Sequence, residues 1–274
     1  MSVYRQYYDG SGVPLRIDED LAAPAEAWRS QRARMGQWLD ALPEDAWSGP
    51  TRCEDWDVTL LVRHLASGCQ FLGYTLHKAA AGTATTLLTG FDTHVTVNAA
   101  AAMLGDLTPA QAREAMAAAD ASVEREFSAL GPDGWMAAAE APPGRVPAYL
   151  AVSHFLFDSW VHEYDLMVPR GEQPVLVADE VVPVASYVLG LAVVTADSGQ
   201  SLDVRLTDLD LRIGVDAVDG GVSVTPGTAS AGAAVIEGRS VDVIDLATGR
   251  PSGPVSGDAA GLAVLAGLAA LLAS

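Results

Sequence analysis

The chain has 274 residues, a formal net charge of −19 and a hydrophobic fraction of 50%. Binding to nucleic-acid phosphates or to anionic membrane surfaces needs a basic face, so this charge argues against both kinds of partner. The hydrophobic content is also far from that of disordered chains, and we expect a substantial core.

Cysteine content and hydropathy indicate the compartment. Cys53 and Cys69 are the two cysteines, too few for a disulfide framework. The first ten residues contain no apolar stretch typical of a signal peptide. The longest apolar run, residues 261–274, is too short to span a bilayer. We therefore expect a cytoplasmic protein.

The first part of the chain carries helical signals in sequence order. Pro43 stops a first apolar pattern, and Asp57 is a suitable N-cap for a second one. Thr108-Pro109-Ala110-Gln111 has the composition of a capping box with proline at the first helical position. The predicted helices are 19–42, 58–82, part of 86–104, 109–130 and 147–167, with a turn at 131–134.

The second part of the chain changes character after Gln173-Pro174, which divides it into predicted domains 1–172 and 173–274. A helix is predicted at 179–196. Alternating apolar residues then predict half-buried strands, and Asp219-Gly220-Gly221 predicts a hairpin turn. Strands are predicted at 202–206, 209–215, from 222 and at 235–236, and short helices at 241–246 and 258–272. The predicted architecture is a helical bundle followed by a small α+β domain.

The last helix of the first domain carries the most informative pattern. Apolar residues surround it almost completely, which is typical of a buried helix. Its polar residues His154, Asp158, His162 and Asp165 nevertheless step by four, four and three, so they share one face. Polar groups buried there need partners, and a divalent cation would satisfy a carboxylate and two imidazoles together.

A third protein ligand should come from a facing helix, as in other bundle metal sites. His64 lies mid-helix beside an apolar face and is the best candidate. The predicted metal ligands are His64, Asp158 and His162, with His154 as a fourth ligand or as a neighbour of the ligands. Asp165 would accept a hydrogen bond from a ligand imidazole. The alternative is a hydrogen-bonded His–Asp pair within the core, without metal.

Other reactive residues give weaker signals. His77 and His94 are expected at the surface, and Cys69 in the core. Cys53 precedes a helix start, where a thiolate would be stabilised, although a small buried hydrophobe is the alternative. Arg52, Arg63 and Arg170 are either anchors for a carboxylate substrate or surface residues. The candidate catalytic group is Arg52, His154 and Asp165.

Two motifs carry a resemblance to a known family. Residues 50–58 read Pro-Thr-Arg-Cys-Glu-Asp-Trp-Asp-Val, and His64 follows within two turns. In the last helix of the first domain, Asp158 is followed by His162 and then by Asp165-Leu166. Both motifs resemble the mycothiol-dependent maleylpyruvate isomerase-like family of DinB-like four-helix metalloenzymes. Residues 238–246, 249–250 and 255–258 are similar to the sterol-carrier-like C-terminal domain of that family.

The resemblance implies an N-terminal four-helix bundle with a divalent metal, most often zinc, that binds mycothiol or a similar thiol. The expected enzyme isomerises or S-conjugates a small electrophilic substrate, either with or without a carboxylate group. Its partners would be that substrate and the thiol, with the chain as a monomer or homodimer. One departure is that Asp158 stands where the family has glutamate. A metal-dependent hydrolase, lyase or biosynthetic tailoring enzyme without thiol, and a non-catalytic small-molecule-binding protein, are the alternatives.

Overall fold

The computed structural model describes residues 14–93 and 95–272. Within them the chain forms two units, one of residues 24–180 and the other of residues 14–23 with 181–272. The sequence predicts one division, between residues 172 and 173, and this stays a prediction. The structure differs from it in grouping residues 14–23 with the second unit.

The first unit is helical, with one small hairpin. Four long helices and one short helix are found in its described part. They are α1 (Ala23–Ala41), α2 (Val58–Ala80), α3 (Val95–Ala102), α4 (Pro109–Gly134) and α5 (Ala148–Met167). Two 3-10 turns cover Glu44–Ser48 and Val168–Arg170, and the hairpin consists of β2 (Ala138–Ala141) and β3 (Gly144–Pro147).

Both predicted helix caps are formed. The Asp57 carboxylate accepts a hydrogen bond from the Leu60 amide at 2.8 Å and starts α2. Thr108 and Gln111 form a reciprocal capping box at the start of α4. The predicted turn after Leu130 is a kink instead, because Gly131 has a positive φ of 61° and helical geometry resumes up to Gly134.

The core of the first unit explains where its polar residues lie. Helix α2 packs against α3, α4 and α5. The core cluster includes Met35, Leu39, Trp47, Leu61 and Leu166, all almost fully buried. Helix α5 is buried on nearly every side, as its composition predicts. Polar side chains on α5 are consequently held inside the bundle.

The second unit contains one mixed sheet. Its order is β1 (Leu15–Ile17), β6 (Gly221–Pro226), β5 (Leu211–Val218), β4 (Leu202–Leu206), β7 (Ala234–Gly238) and β8 (Val255–Gly257). The helices are α6 (Ala178–Ala196, from Val181 onward), α7 (Ser240–Ala247) and α8 (Ala259–Leu272). The predicted fold class, a helical bundle with a small α+β domain, is confirmed.

Four short strands, β1, β2, β3 and β8, were not predicted. Strand β1 pairs in parallel with β6, with Leu15 opposite Val222, but it is three residues long and falls where no element is predicted. The β2–β3 hairpin is rich in alanine and lacks the β-branched residues that indicate strands. Fully buried Glu140 within it accepts hydrogen bonds from the Leu87 and Leu88 amides.

Helix α6 is long and apolar enough to cross a membrane by length and composition alone. However, 78% of its most apolar stretch is buried within the protein, as in a core helix. This helix is therefore weak evidence for a membrane span. The prediction about a signal peptide, residues 1–10, lies outside the described residues.

Candidate metal centre

Helices α2 and α5 bring three predicted ligands together. The His64 Nε2 atom lies 3.2 Å from Asp158 Oδ2, and His162 Nε2 lies 3.4 Å from Asp158 Oδ1. One turn of α5 separates Asp158 from His162, which directs both side chains toward His64 on the facing helix. One donor atom from each residue lies within 4.8 Å of the other two. These residues, His64, Asp158 and His162, are called the His–Asp cluster below.

The His–Asp cluster fits a small divalent ion. In tetrahedral zinc sites with bonds of about 2.0–2.1 Å, neighbouring donor atoms lie about 3.3 Å apart. His64 Nε2 and His162 Nε2 both lie 3.4 Å from the same oxygen, Asp158 Oδ1, and this distance is close to that spacing. Two imidazole nitrogens and one carboxylate oxygen are also a donor set that catalytic zinc uses, with a fourth position left for a small molecule. The residues present therefore fit the group.

Charges within the cluster oppose the effect of burial. Burial raises the pKa of Asp158, but the neighbouring imidazoles of His64 and His162 outweigh it and hold that pKa well below its usual range. Burial likewise lowers the pKa of His162, but the Asp158 carboxylate and the hydrogen bonds that Asp158 and Asp165 accept from the ring raise it well above the ordinary value. A charged Asp158 carboxylate therefore lies beside a protonated His162, and a cation bound here would displace the proton from His162 Nε2.

Asp165 fixes the orientation of His162 from the other side of the ring. Its Oδ2 atom lies 2.8 Å from His162 Nδ1, which leaves Nε2 directed at Asp158. Arg52 Nε donates to the Asp165 Oδ1 atom at 2.8 Å, and the Cys53 thiol donates to Oδ2 at 3.3 Å. Carboxylates that hold metal-binding histidines in this way tune both ring orientation and basicity.

A cleft of about 130 Å³ reaches the His–Asp cluster. His64, Asp158 and His154 contribute to its lining, together with a largely apolar wall. Burial, the largest influence, lowers the pKa of His154 to about 4, so this imidazole is neutral near pH 7. The cleft therefore gives small molecules access to two of the three donor residues.

Comparison with known proteins identifies the family. The model of the mycothiol maleylpyruvate isomerase N-terminal domain family matches residues 28–167, slightly more than half of the chain. The chain belongs to this family. A search of curated proteins finds no match.

Solved structures of a family relative share the fold. The crystal structure of the mycothiol-dependent maleylpyruvate isomerase aligns with a TM-score of 0.63 and 18% identity over 89% of this chain and 95% of that one. A histidine-to-alanine mutant of the isomerase aligns with the same TM-score and 17% identity over the same shares. At these identities the likeness establishes the fold.

In this family member, the predicted site residues form one contiguous arrangement. His64, Asp158 and His162 converge, while Arg52 and Asp165 support His162 from behind, and His154 lines the cleft. Their roles as ligands and catalytic groups stay predictions. Arg52, proposed from the sequence as a substrate anchor, uses its Nε atom to hold Asp165.

The other candidates lie elsewhere or outside the description. His77 is largely exposed and faces Glu126 at 3.3 Å. His94 lies outside the described residues. Cys69 is buried, and burial raises its pKa to about 12. Arg63 donates to the Ala101 carbonyl instead of reaching the cluster.

Two further residues of the 50–58 motif border the site. Cys53 lies beside Asp165 and 3.7 Å from His162 Nδ1, so Cys53, His162 and Asp165 form a second group with donor atoms close together. The Trp56 ring packs against His64 and His162 at centroid distances of 5.1 and 6.2 Å. Both residues lie in the 50–58 motif, which is the signal that points to them.

Proposed function

We propose that the protein is a divalent-metal-dependent enzyme that uses mycothiol or a similar thiol to isomerise or S-conjugate a small electrophilic molecule. The observation that carries the proposal is the convergence of His64, Asp158 and His162 at tetrahedral donor spacing beside an open cleft. The relative whose structure aligns with this chain is named a mycothiol-dependent maleylpyruvate isomerase.

The His–Asp cluster would hold the ion, with zinc as the metal that best suits its donors. When bound, a divalent ion lowers the pKa of a coordinated thiol, so that thiolate is present at neutral pH. Asp165 would accept a hydrogen bond from His162 Nδ1, which leaves Nε2 to bind the ion once the ion has displaced its proton. Arg52 and Cys53 hold Asp165 in place, which makes them positioning residues.

The cleft would receive the electrophile, whose carbon–carbon double bond is conjugated to a carbonyl group. The thiolate sulfur forms a bond to the β-carbon, and the π electrons move to the carbonyl oxygen to give an enolate. Rotation about the former double bond, followed by return of the enolate electrons and expulsion of the sulfur as thiolate, gives an isomer. Protonation of the α-carbon of the enolate instead leaves the sulfur attached and gives a conjugate. Neutral His154 is suited to donate a hydrogen bond to the carbonyl oxygen as negative charge develops there.

The remaining expectations follow from composition and the family. The partners are a small-molecule substrate and a low-molecular-weight thiol, and the acidic charge disfavours nucleic acid and anionic membranes. The protein is proposed to be cytoplasmic and to work as a monomer or a homodimer.

A thiol and metal dependence test examines this function directly. The purified protein is incubated with maleylpyruvate, the substrate named for the relative, and with a simple enone, each with and without mycothiol. Each reaction is repeated after removal and restoration of zinc. We expect turnover of at least one electrophile to require both thiol and metal.

Two other outcomes would replace the proposal. Turnover that needs metal but no thiol would assign the protein to hydrolases, lyases or tailoring enzymes. Ligand binding that persists without metal and without any turnover would indicate a non-catalytic binding protein on the same scaffold.

A further inference from the structure

The wall of the cleft beside the His–Asp cluster is apolar. Among the described lining residues, the polar side chains beyond the cluster are His154, Ser67 and Thr96. The rest of the wall consists mainly of Phe71, Leu88, Phe91, Val97, Pro142 and Phe155. Two phenylalanines of this wall, Phe71 and Phe155, pack against each other with ring centroids 6.1 Å apart. This lining favours a ligand with an apolar body.

The described part of the cleft wall offers no lysine or arginine to neutralise a carboxylate. The described lining residues include no arginine or lysine, and their one charged carboxylate is Asp158. The nearby arginines of the same unit are engaged elsewhere. Arg52 holds Asp165, and Arg63 donates to the Ala101 carbonyl and faces Asp106. An anionic substrate group would therefore lie against apolar carbon and near another negative charge.

A metal ion at the His–Asp cluster would not supply a net positive charge for a substrate carboxylate once the thiol is bound. A divalent ion, the Asp158 carboxylate and one thiolate together carry no net charge. Surplus attraction for a substrate carboxylate would have to come from the cleft wall, and the described wall offers none. Burying a carboxylate without a partner is strongly unfavourable, whereas an uncharged alkyl or aromatic group gains from burial.

The loop that forms part of this wall is fixed in place by the protein. Glu140, fully buried on β2, accepts hydrogen bonds from the Leu87 and Leu88 amides at 2.9 and 2.7 Å. Leu88 and Phe91 consequently present a preformed apolar surface to the cleft. A preformed surface selects for ligand chemistry more strongly than a mobile one, because no ordering cost is paid on binding.

We propose that the electrophile accepted by this cleft is an uncharged molecule with an apolar body, such as an alkyl or aryl enone, rather than a carboxylate. This inference rests on the proposed function for the chemistry and on the cleft alone for the binding preference. It differs from the carboxylate-bearing substrate that Arg52 suggested from the sequence.

A matched pair of ligands tests the binding preference without any reaction. Heptanone and its analogue with carboxylate in place of the terminal methyl group have no conjugated double bond and cannot add thiol. Their binding to the zinc-loaded protein with mycothiol bound is measured by ligand-observed nuclear magnetic resonance. We expect the ketone to bind about tenfold or more tightly than the carboxylate in this form, since an unpaired buried polar group is costly.

The corresponding conjugated pair tests turnover. In heptenone and its terminal carboxylate the charge is separated from the double bond by two methylene groups, so their intrinsic reactivity toward thiol is similar. Each rate is divided by its uncatalysed rate with the same thiol. The inference predicts that the uncharged enone has the larger acceleration.

A charge introduced into the wall provides the matched control. Val97→Arg places a cation on the cleft side of α3 and should shift the binding ratio toward the carboxylate by about fivefold. Val95→Arg adds the same charge at a position of the same helix that is 71% exposed and does not line the cleft, so the ratio should stay unchanged. Thermal melting checks that both variants fold.

The outcomes separate the inference from the proposed function. Preferred binding of the ketone without turnover of any electrophile would support the inference and contradict the proposed function. Equal or tighter binding of the carboxylate, or no binding of either ligand, would overturn the inference even if thiol-dependent turnover were found. A Val95→Arg effect as large as that of Val97→Arg would overturn the assignment of selectivity to the cleft wall.

Discussion

Helix α5 contributes to two buried polar groups that differ in how their charges are balanced. Glu163 forms two hydrogen bonds with Arg34 and accepts a third from Gln31, and Arg34 also pairs with Glu180. These four residues are called the Arg34 network. The His–Asp cluster, one turn away, has two imidazoles directed at one carboxylate instead.

The difference separates a structural role from a ligand-binding role. The carboxylates of the Arg34 network are fully buried and have protein donors at 2.6–3.0 Å. Asp158 is half-buried, and its contacts with the histidines are 3.2 Å and longer. The cluster also borders a cleft. Buried polar groups whose hydrogen bonds are all made within the protein stabilise the fold. Buried polar groups that border a cleft can instead bind a ligand.

The largest expected effect is loss of metal when a ligand is removed. His64→Ala or His162→Ala should each weaken zinc binding by more than about a hundredfold, beyond the range for residues that only support a ligand. Competition with a chromogenic chelator measures the affinity. His77→Ala is the control, because His77 is exposed and pairs with Glu126. Unchanged zinc affinity in both cluster variants would contradict the ligand assignment.

Removal of Arg34 should lower the stability of the protein and leave its zinc binding unchanged. Arg34→Ala leaves two buried carboxylates without their cation, and we expect the free energy of unfolding to fall by about 3–5 kcal/mol. Zinc stoichiometry should be unchanged in the folded fraction. Arg29→Ala breaks an exposed pair with Glu124 and should cost less than about 1 kcal/mol in denaturant titrations. Similar losses in the two variants would show that the Arg34 network is not a special source of stability.

Asp165 should affect the metal through His162. Asp165→Asn retains the shape of the side chain but weakens the contact that holds His162 Nδ1, and zinc affinity should fall by about 10–100-fold. Glu126→Gln changes the corresponding acid beside exposed His77 and should leave zinc affinity unaltered. If Asp165→Asn melts like the parent protein and binds zinc equally well, Asp165 has no positioning role.

The smallest change in zinc affinity is expected when Asp158 is replaced by the glutamate that the family has at this position. Asp158→Glu lengthens the side chain by one methylene and keeps its charge, so zinc affinity should be retained or raised. The same chelator competition measures it. Loss of zinc would mean that the spacing of His64 and His162 is built around the shorter aspartate.

The sequence allows prediction of the elements with strong local signals. Helices α2, α4 and α5 have long apolar periodicity, and Asp57 and Thr108 cap two of them, so local chemistry determines where they begin. The spacing of Asp158 and His162 likewise follows from helical geometry alone. His64 required a choice among helices, which its place in mid-helix beside an apolar face suggested and the family motif then supported.

The remaining features depend on contacts between distant residues. Arg34 and Glu163 are 129 positions apart, and nothing in the local pattern of either residue identifies the other. The bonds from Arg52 and Cys53 to Asp165 also join distant segments, so their positioning function is visible only in the fold. Strand β1 is too short to produce a periodic signal, and its pairing with β6 is decided by tertiary structure.

The most direct test of the metal centre is elemental analysis of the purified, untagged protein by plasma mass spectrometry, in parallel with His162→Ala. The account predicts about one zinc or similar divalent ion per chain in the parent protein and its loss from the folded variant. Absence of metal from the parent protein even after zinc addition, or equal metal content in both proteins, would contradict it. The His–Asp cluster would then be a second structural network.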